Sequence, residues 1–190
     1  MKRLLLFITI VALSTSAFAQ TKGYEGSVFA SYRVSFNSPE CAFSFESING
    51  YRFNPYIFLG AGLGIDIATY GNICRVGDPQ TYNEVKNMVV PIIPLYAVVK
   101  VNITKTRISP FFMFKLGLTG GFGDQATRAK VKSQFWEQAL GCDFYLGEQK
   151  KHAITAILGL NLRKNYNILT WDLRQPDYIS SVRFGVGYTF

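Results

Sequence analysis

Beyond its first twenty positions this sequence has no run of about 20 apolar residues, so no segment there can cross a membrane as a helix. Charge is scarce too. Asp, Glu, Lys and Arg make up 17% of the 190 residues, against about one-quarter in an ordinary soluble domain. There is 1 histidine and there are 3 cysteines, with no Cys/His spacing suited to zinc and no cofactor motif. Gly60, Gly62 and Gly64 alternate like part of a nucleotide-binding loop, but they lie inside a strand pattern with no helix following. The chain is instead rich in aromatics (15%, with 11 Tyr and 16 Phe) and carries 17 Gly.

The one continuous apolar run is at the start. Lys2 and Arg3 precede Leu4 to Leu13, and Ala17, Phe18 and Ala19 form a small-x-small site. This pattern predicts a secretory signal peptide over 1–19, cut before Gln20. No Cys follows that site, so a bacterial lipoprotein anchor is not expected. Without Lys2 and Arg3, 18 basic and 12 acidic side chains remain, a formal +6.

The rest of the chain, 20–190, reads as one domain with a period of two. At the C-terminus, Ser180, Val182, Phe184, Val186, Tyr188 and Phe190 share a face, opposite Ser181, Arg183, Gly185, Gly187 and Thr189. The same alternation predicts strands over Tyr24–Phe36, Ala42–Tyr51, Tyr56–Tyr70, Met88–Asn102, Ile108–Thr119, Gln134–Leu146 and Ala153–Arg163. The second strand is the weakest, because Ser47 and Asn49 share the apolar face of Phe43 and Phe45. Pro91 and Pro94 predict that the fourth strand begins pairing lower down, or is bulged. Tight turns (52–55, 103–107 and 147–151) alternate with longer connections (71–87, 120–133 and 164–178). The short first loop, 37–41, falls on the long-loop side. Short turns at one end and long loops at the other are the layout of an outer-membrane barrel.

The charges bear on which face is inward, and the signal peptide, the terminal Phe190, the aromatic belts and the turn–loop alternation decide it. The face opposite the apolar one carries Glu25, Arg33, Glu46, Asp66, Lys100, Lys115, Glu137, Asp143, Arg163 and Arg183, five of each sign. Inside a narrow lumen they can pair while the apolar face meets lipid, which forces the sheet to close so that no backbone group is left bare. The expectation is an all-β, eight-stranded, antiparallel up-and-down transmembrane barrel with a filled interior. A soluble barrel of lipocalin type is the inverse arrangement. Tyr51, Phe53, Phe144, Tyr188 and Phe190 would mark the periplasmic interface, and Tyr32, Phe36, Trp136 and Tyr178 the outer one. Both chain ends fall on the periplasmic side.

The segment from Asn49 to Gly64, through Tyr51, Arg52, Phe53, Asn54, Pro55 and Tyr56, resembles the second hairpin of small outer-membrane β-barrel proteins of Bacteroides-type bacteria. Lys100 to Phe111 resembles their next periplasmic hairpin. Tyr188 and Phe190 resemble the terminal aromatic signal read by the barrel-assembly machinery. The resemblance implies an OmpA- or OmpX-like barrel folded by that machinery; it brings no known activity and no catalytic residues.

Several functions fit such a barrel. The ten lumen charges read either as a structural network or as a gated, porin-like pore or proton path; their equal numbers favour pairing. Small lipid-modifying barrel enzymes use a His with a Ser near the outer leaflet, whereas His152 follows a periplasmic turn, so the chain is expected not to be an enzyme. Cys41 and Cys74 fall in adjacent outer loops, either bridged or both free. Cys142 falls on the lipid face as an apolar filler. The basic cluster Arg128, Lys130 and Lys132 meets lipopolysaccharide phosphates or is simply solvated. Asn72, Tyr82, Tyr166 and Trp171 offer a surface to an unknown loop ligand. The expected partners are outer-membrane lipid and lipopolysaccharide and the assembly machinery; nucleic acid is excluded by location. The leading expectation is a structural or loop-mediated binding or adhesion role.

Overall fold

The computed structural model describes residues 23–38, 40–70, 88–122, 132–147, 152–166 and 178–190. Eight strands run in chain order: β1 (Gly23–Ser35), β2 (Glu40–Arg52), β3 (Ile57–Tyr70), β4 (Met88–Asn102), β5 (Ile108–Gly121), β6 (Lys132–Leu146), β7 (His152–Tyr166) and β8 (Tyr178–Thr189). Each pairs antiparallel with its neighbours, and β8 pairs with β1 to close the barrel. Following Cα partners once round, from Gly23 through Arg52, Phe58, Lys100, Met113, Ala139, Gly159 and Arg183, returns to Arg33. That stagger of ten residues goes with steep strand tilt, typically about 35–45° in closed barrels.

Period-two burial is inverted relative to a soluble protein. Arg183 is 2% exposed and Lys115 1%, whereas Leu95 and Leu160 on the outer wall are each 59% exposed. Charges sit inside because they find partners there; apolar side chains sit outside because the lumen has no room for both faces.

The lumen also has apolar filling. Phe29, Ile48, Phe58, Tyr96, Val98, Phe111, Met113, Phe135 and Ile157 belong to one buried cluster, and Ala42, Ala68, Val90 and Ile92 to a second. Large inward rings are accommodated by inward glycines. A Cβ at Gly62 or Gly117 would overlap Tyr96, one at Gly141 would overlap the Phe111 ring, and one at Gly187 the Phe29 ring. Tyr96 meets Phe135 edge-on with centroids 5.9 Å apart.

Several strands run beyond their expected bounds, β7 by four residues and β2 by three, while Phe36, Tyr56 and Phe190 fall just outside β1, β3 and β8. Glu40, expected in the first loop, and Arg52, expected in a turn, both belong to β2 and point inward. The doubtful outward residues of that strand are satisfied locally: the Tyr24 hydroxyl donates to Asn49 Oδ1, and Asn49 Nδ2 donates to Ser47 Oγ at 3.0 Å. The prolines do not shift β4. Ile67 faces Pro91 and Leu63 faces Leu95 in one unbroken register, although pairing lapses opposite Ile93 and Pro94. The Pro91 carbonyl still accepts from Phe122 N at 3.1 Å. β7 runs beyond Arg163, which puts Lys164 at the loop end of the outer wall, its Nζ 5.7 Å from the Tyr178 ring centroid.

The short turns are pinned by side chains. Asn54 Oδ1 accepts from Tyr56 N and Ile57 N at 2.8 and 2.9 Å. Gly147 adopts φ +71° after β6, a conformation that favours glycine. At the closing seam, Phe190 N donates to Gly26 O at 2.8 Å and Gly26 N to Phe190 O at 3.0 Å. The Phe190 ring covers Gly26 so closely that a Cβ there would strike it.

Candidate functional site in the lumen

All ten charges singled out in the sequence line the lumen, joined by Glu40 and Arg52. Their ion pairs, with the hydrogen bonds of Asn102, sort them into three groups along the axis, each with two acids and two bases.

The turn-side group is Glu25, Arg52, Lys100 and Asp143. Arg52 grips both oxygens of Glu25, with Nη2 2.8 Å from Oε1. Its Nη1 donates to Asn102 Oδ1 at 3.1 Å and to Pro55 O at 3.3 Å. Asn102 donates to Asp143 Oδ2 and to Ser109 Oγ, at 2.9 and 3.0 Å. Lys100 Nζ lies 2.7 Å from Asp143 Oδ2 and 4.2 Å from the Phe111 ring centroid. Thr155 donates to Asp143 Oδ1 at 2.7 Å and continues through Thr189 to Ser27.

The middle group is Glu46, Lys115, Glu137 and Arg183. Glu46 accepts from the Tyr96 hydroxyl (2.7 Å), Lys115 (2.8 Å) and Arg183 (2.8 Å). Glu137 accepts from Arg183 at 3.1 Å and faces Lys115 at 3.2 Å. These four come from β2, β5, β6 and β8, so their side chains meet across the lumen rather than along one wall.

The loop-side group is Arg33, Glu40, Asp66 and Arg163. Arg33 reaches Glu40 at 3.4 Å and Asp66 at 3.2 Å; Arg163 pairs closely with Glu40. Arg33 and Arg183 are also direct Cα partners across the β1–β8 seam, yet both find their acids on other strands.

Buried ions are costly unless paired and hydrogen-bonded. Here each level is neutral, so among the described residues the lumen carries no band of one sign of the kind that selects ions. The apolar cluster lies on the same inner wall and adds bulk between the polar groups.

Glu40 and Arg52 escaped the sequence reading because strand ends were drawn too short. The signal was present: Glu40 keeps the period of Ala42, Ser44 and Glu46, and Arg52 that of Ile48 and Gly50. Tyr96 escaped it because an aromatic amid the apolar residues of β4 carries no mark of facing inward.

The other expected sites disperse. Cys41 is disulfide-bonded and Cys142 is free; Cys74 lies outside the described residues. His152 is exposed at the start of β7, its ring stacked 5.7 Å from that of Tyr188. Tyr188 is on the outer wall and Phe190 closes the seam. Of the proposed interface aromatics, Tyr51, Phe53, Phe144, Tyr32, Phe36 and Tyr178 are exposed. Arg128, Lys130, Asn72, Tyr82 and Trp171, and the side chains of Lys132 and Tyr166, lie outside what is described, as does the segment 1–19. No group of three or more His, Cys, Asp or Glu among the described residues could hold a metal ion.

No family profile matches the chain, and no curated protein matches it. Solved structures do. The outer membrane protein OprG from Pseudomonas aeruginosa is similar at 9% identity with a TM-score of 0.50, over 90% of this chain and 98% of that one. Neisserial surface protein A is similar at 11% identity with a TM-score of 0.53, over 90% and 96%. Both share the fold. The outer membrane enzyme PagL matches at 14% identity with a TM-score of 0.49, over 85% and 97%. The expectation that the chain is not an enzyme is corrected: a protein titled as an enzyme stands among the matches, so an enzymatic role is left open and none is assigned. This chain is similar to small eight-stranded barrels, and the likeness extends to the fold.

Proposed function

We propose that the protein is an outer-membrane barrel with a plugged lumen, which acts as a rigid scaffold that presents its loop end for binding or adhesion. The observation that carries this reading is the inverted wall, with Leu, Ile, Val and Phe outside and twelve mutually paired charges inside. Water would leave that exterior exposed over the whole circumference, whereas lipid suits it. The barrel likenesses to OprG and Neisserial surface protein A support the location, as do the signal-peptide pattern and the resemblance of 49–64 and 100–111 to Bacteroides-type barrels. In this reading residues 1–19 are removed and both ends face the periplasm. The barrel-assembly machinery engages Tyr188 and Phe190. Lipid and lipopolysaccharide surround the wall, and a loop ligand docks at the far end.

The plug rests on charge neutrality at each level and on bulky inward rings. Two measurements test the proposal. Protein extracted from the membrane fraction should migrate faster on a gel unboiled than boiled, as a closed barrel does; identical migration would sink the barrel in lipid. In a planar bilayer it should give no discrete conductance steps, and regular openings would replace the plug with a narrow channel.

A further inference from the structure

Two polar side chains on the outer wall of β2 are satisfied within the chain: Asn49 accepts from the Tyr24 hydroxyl and donates to Ser47. Gln138 on β6 is the contrast. It keeps the outward period of Trp136 and Leu140, and its side chain is exposed. It lies near the centre of β6, next to Glu137 of the middle charge group, so it stands half-way up the wall. Its Cα partners are Phe114 on β5 and Leu160 on β7, both apolar. Its amide has no hydrogen-bond partner among the described residues. A primary amide in hydrocarbon is costly unless its oxygen accepts and its nitrogen donates. Lipid tails offer neither, and the nearest polar atom on the same face, the Trp136 indole N–H, can only donate.

We propose that Gln138 is the centre of a two-fold contact with a second copy of this chain, made inside the membrane through the outer faces of β5, β6 and β7; the contact rests on the barrel spanning a membrane. The amide itself selects that partner. It carries both an acceptor and donors, so two copies facing each other across a two-fold axis pair their amides head to tail. Both are then satisfied with no other polar group on either wall. A lipid headgroup belongs at the ends of the wall, not half-way along it. A different barrel would have to present a matching polar group at the same depth, whereas a second copy always does. Around Gln138, Leu116, Leu140 and Leu160 are exposed and supply the apolar contact on either side of the amide pair. Gln138 points away from the lumen, so replacing it changes association and leaves the inner charges in place.

The test uses the full barrel in density-matched detergent micelles, followed by sedimentation equilibrium over a series of protein-to-detergent ratios. The wild type should pass from monomer to dimer as the ratio rises. Gln138→Leu should weaken that association about tenfold while the unboiled protein keeps the fast gel migration of a folded barrel. A second measurement locates the contact. With Cys142→Ala in both proteins, Gln138→Cys should cross-link copies under oxidation several-fold more than Leu63→Cys, in vesicles of phosphatidylcholine and phosphatidylglycerol. A monomer at every ratio, association untouched by Gln138→Leu, or equal cross-linking from both positions would overturn the contact. Capture of a different protein by Gln138→Cys in native membranes, with no cross-link between copies, would overturn it in favour of an unlike partner. A barrel that stays dissolved without detergent would instead remove the membrane reading on which the contact rests.

Discussion

The two ends of the lumen are built from the same kinds of residue and finished to different degrees. At the turn side, Arg52, Asn102, Asp143, Thr155, Thr189 and Ser27 form one unbroken chain of hydrogen bonds, anchored to the turns through Pro55 and Thr104 carbonyls. At the loop side, Arg33 makes longer contacts, and one Asp66 oxygen and the hydroxyls of Ser31, Ser35 and Ser38 have no hydrogen-bond partner among the described residues. Each buried polar group left so costs about 1–3 kcal/mol. The difference teaches that similar charge pairing can be completed by a continuous hydrogen-bond chain at one end of a lumen and left without one at the other. Fully satisfied networks rigidify a core.

The comparison is broken most directly by removing an acid from each end. Asp143→Ala strips Lys100, Asn102 and Thr155 of a shared acceptor, and breaking such a buried pair costs about 3–5 kcal/mol. Urea unfolding in detergent micelles should register that loss in the midpoint. Asp66→Ala leaves Arg33 with Glu40 and removes an oxygen that had no partner, so its cost should be about 1–2 kcal/mol in the same assay. Equal losses would mean that the two ends are equally finished. The finest probe is a pair of hydroxyl deletions. Ser109→Ala breaks bonds to Asn102 and Thr104 and should cost about 1 kcal/mol, while Ser35→Ala removes an unpartnered buried hydroxyl and should be neutral or slightly stabilising.

Much of this architecture was legible in the chain. Alternation alone yields eight strands, because a closed sheet with opposite solvents on its faces leaves no position indifferent to which way it points. It also delivers ten of the twelve lumen charges. Register is harder. Nothing in the spacing of Glu46, Lys115, Glu137 and Arg183 reveals that they converge, since that depends on the ten-residue stagger accumulated round the barrel. The glycines show the same limit: Gly62, Gly117 and Gly141 read as small inward residues, but the rings they admit, Tyr96 and Phe111, come from β4 and β5. Proline was misleading for an opposite reason. Pro91 forfeits only a donor; its carbonyl still accepts, and β4 keeps its register. Function was least legible, because the loop end that would carry it shows no period at all.

The seam where β8 meets β1 sets Arg33 and Arg183 face to face. Like charges directly opposed push a strand pair apart. The acids that reconcile them, Glu40, Glu46, Asp66 and Glu137, belong to β2, β3 and β6. Closure of the sheet is therefore not a property of its two end strands alone: the seam is electrically complete only through carboxylates that neither β1 nor β8 supplies.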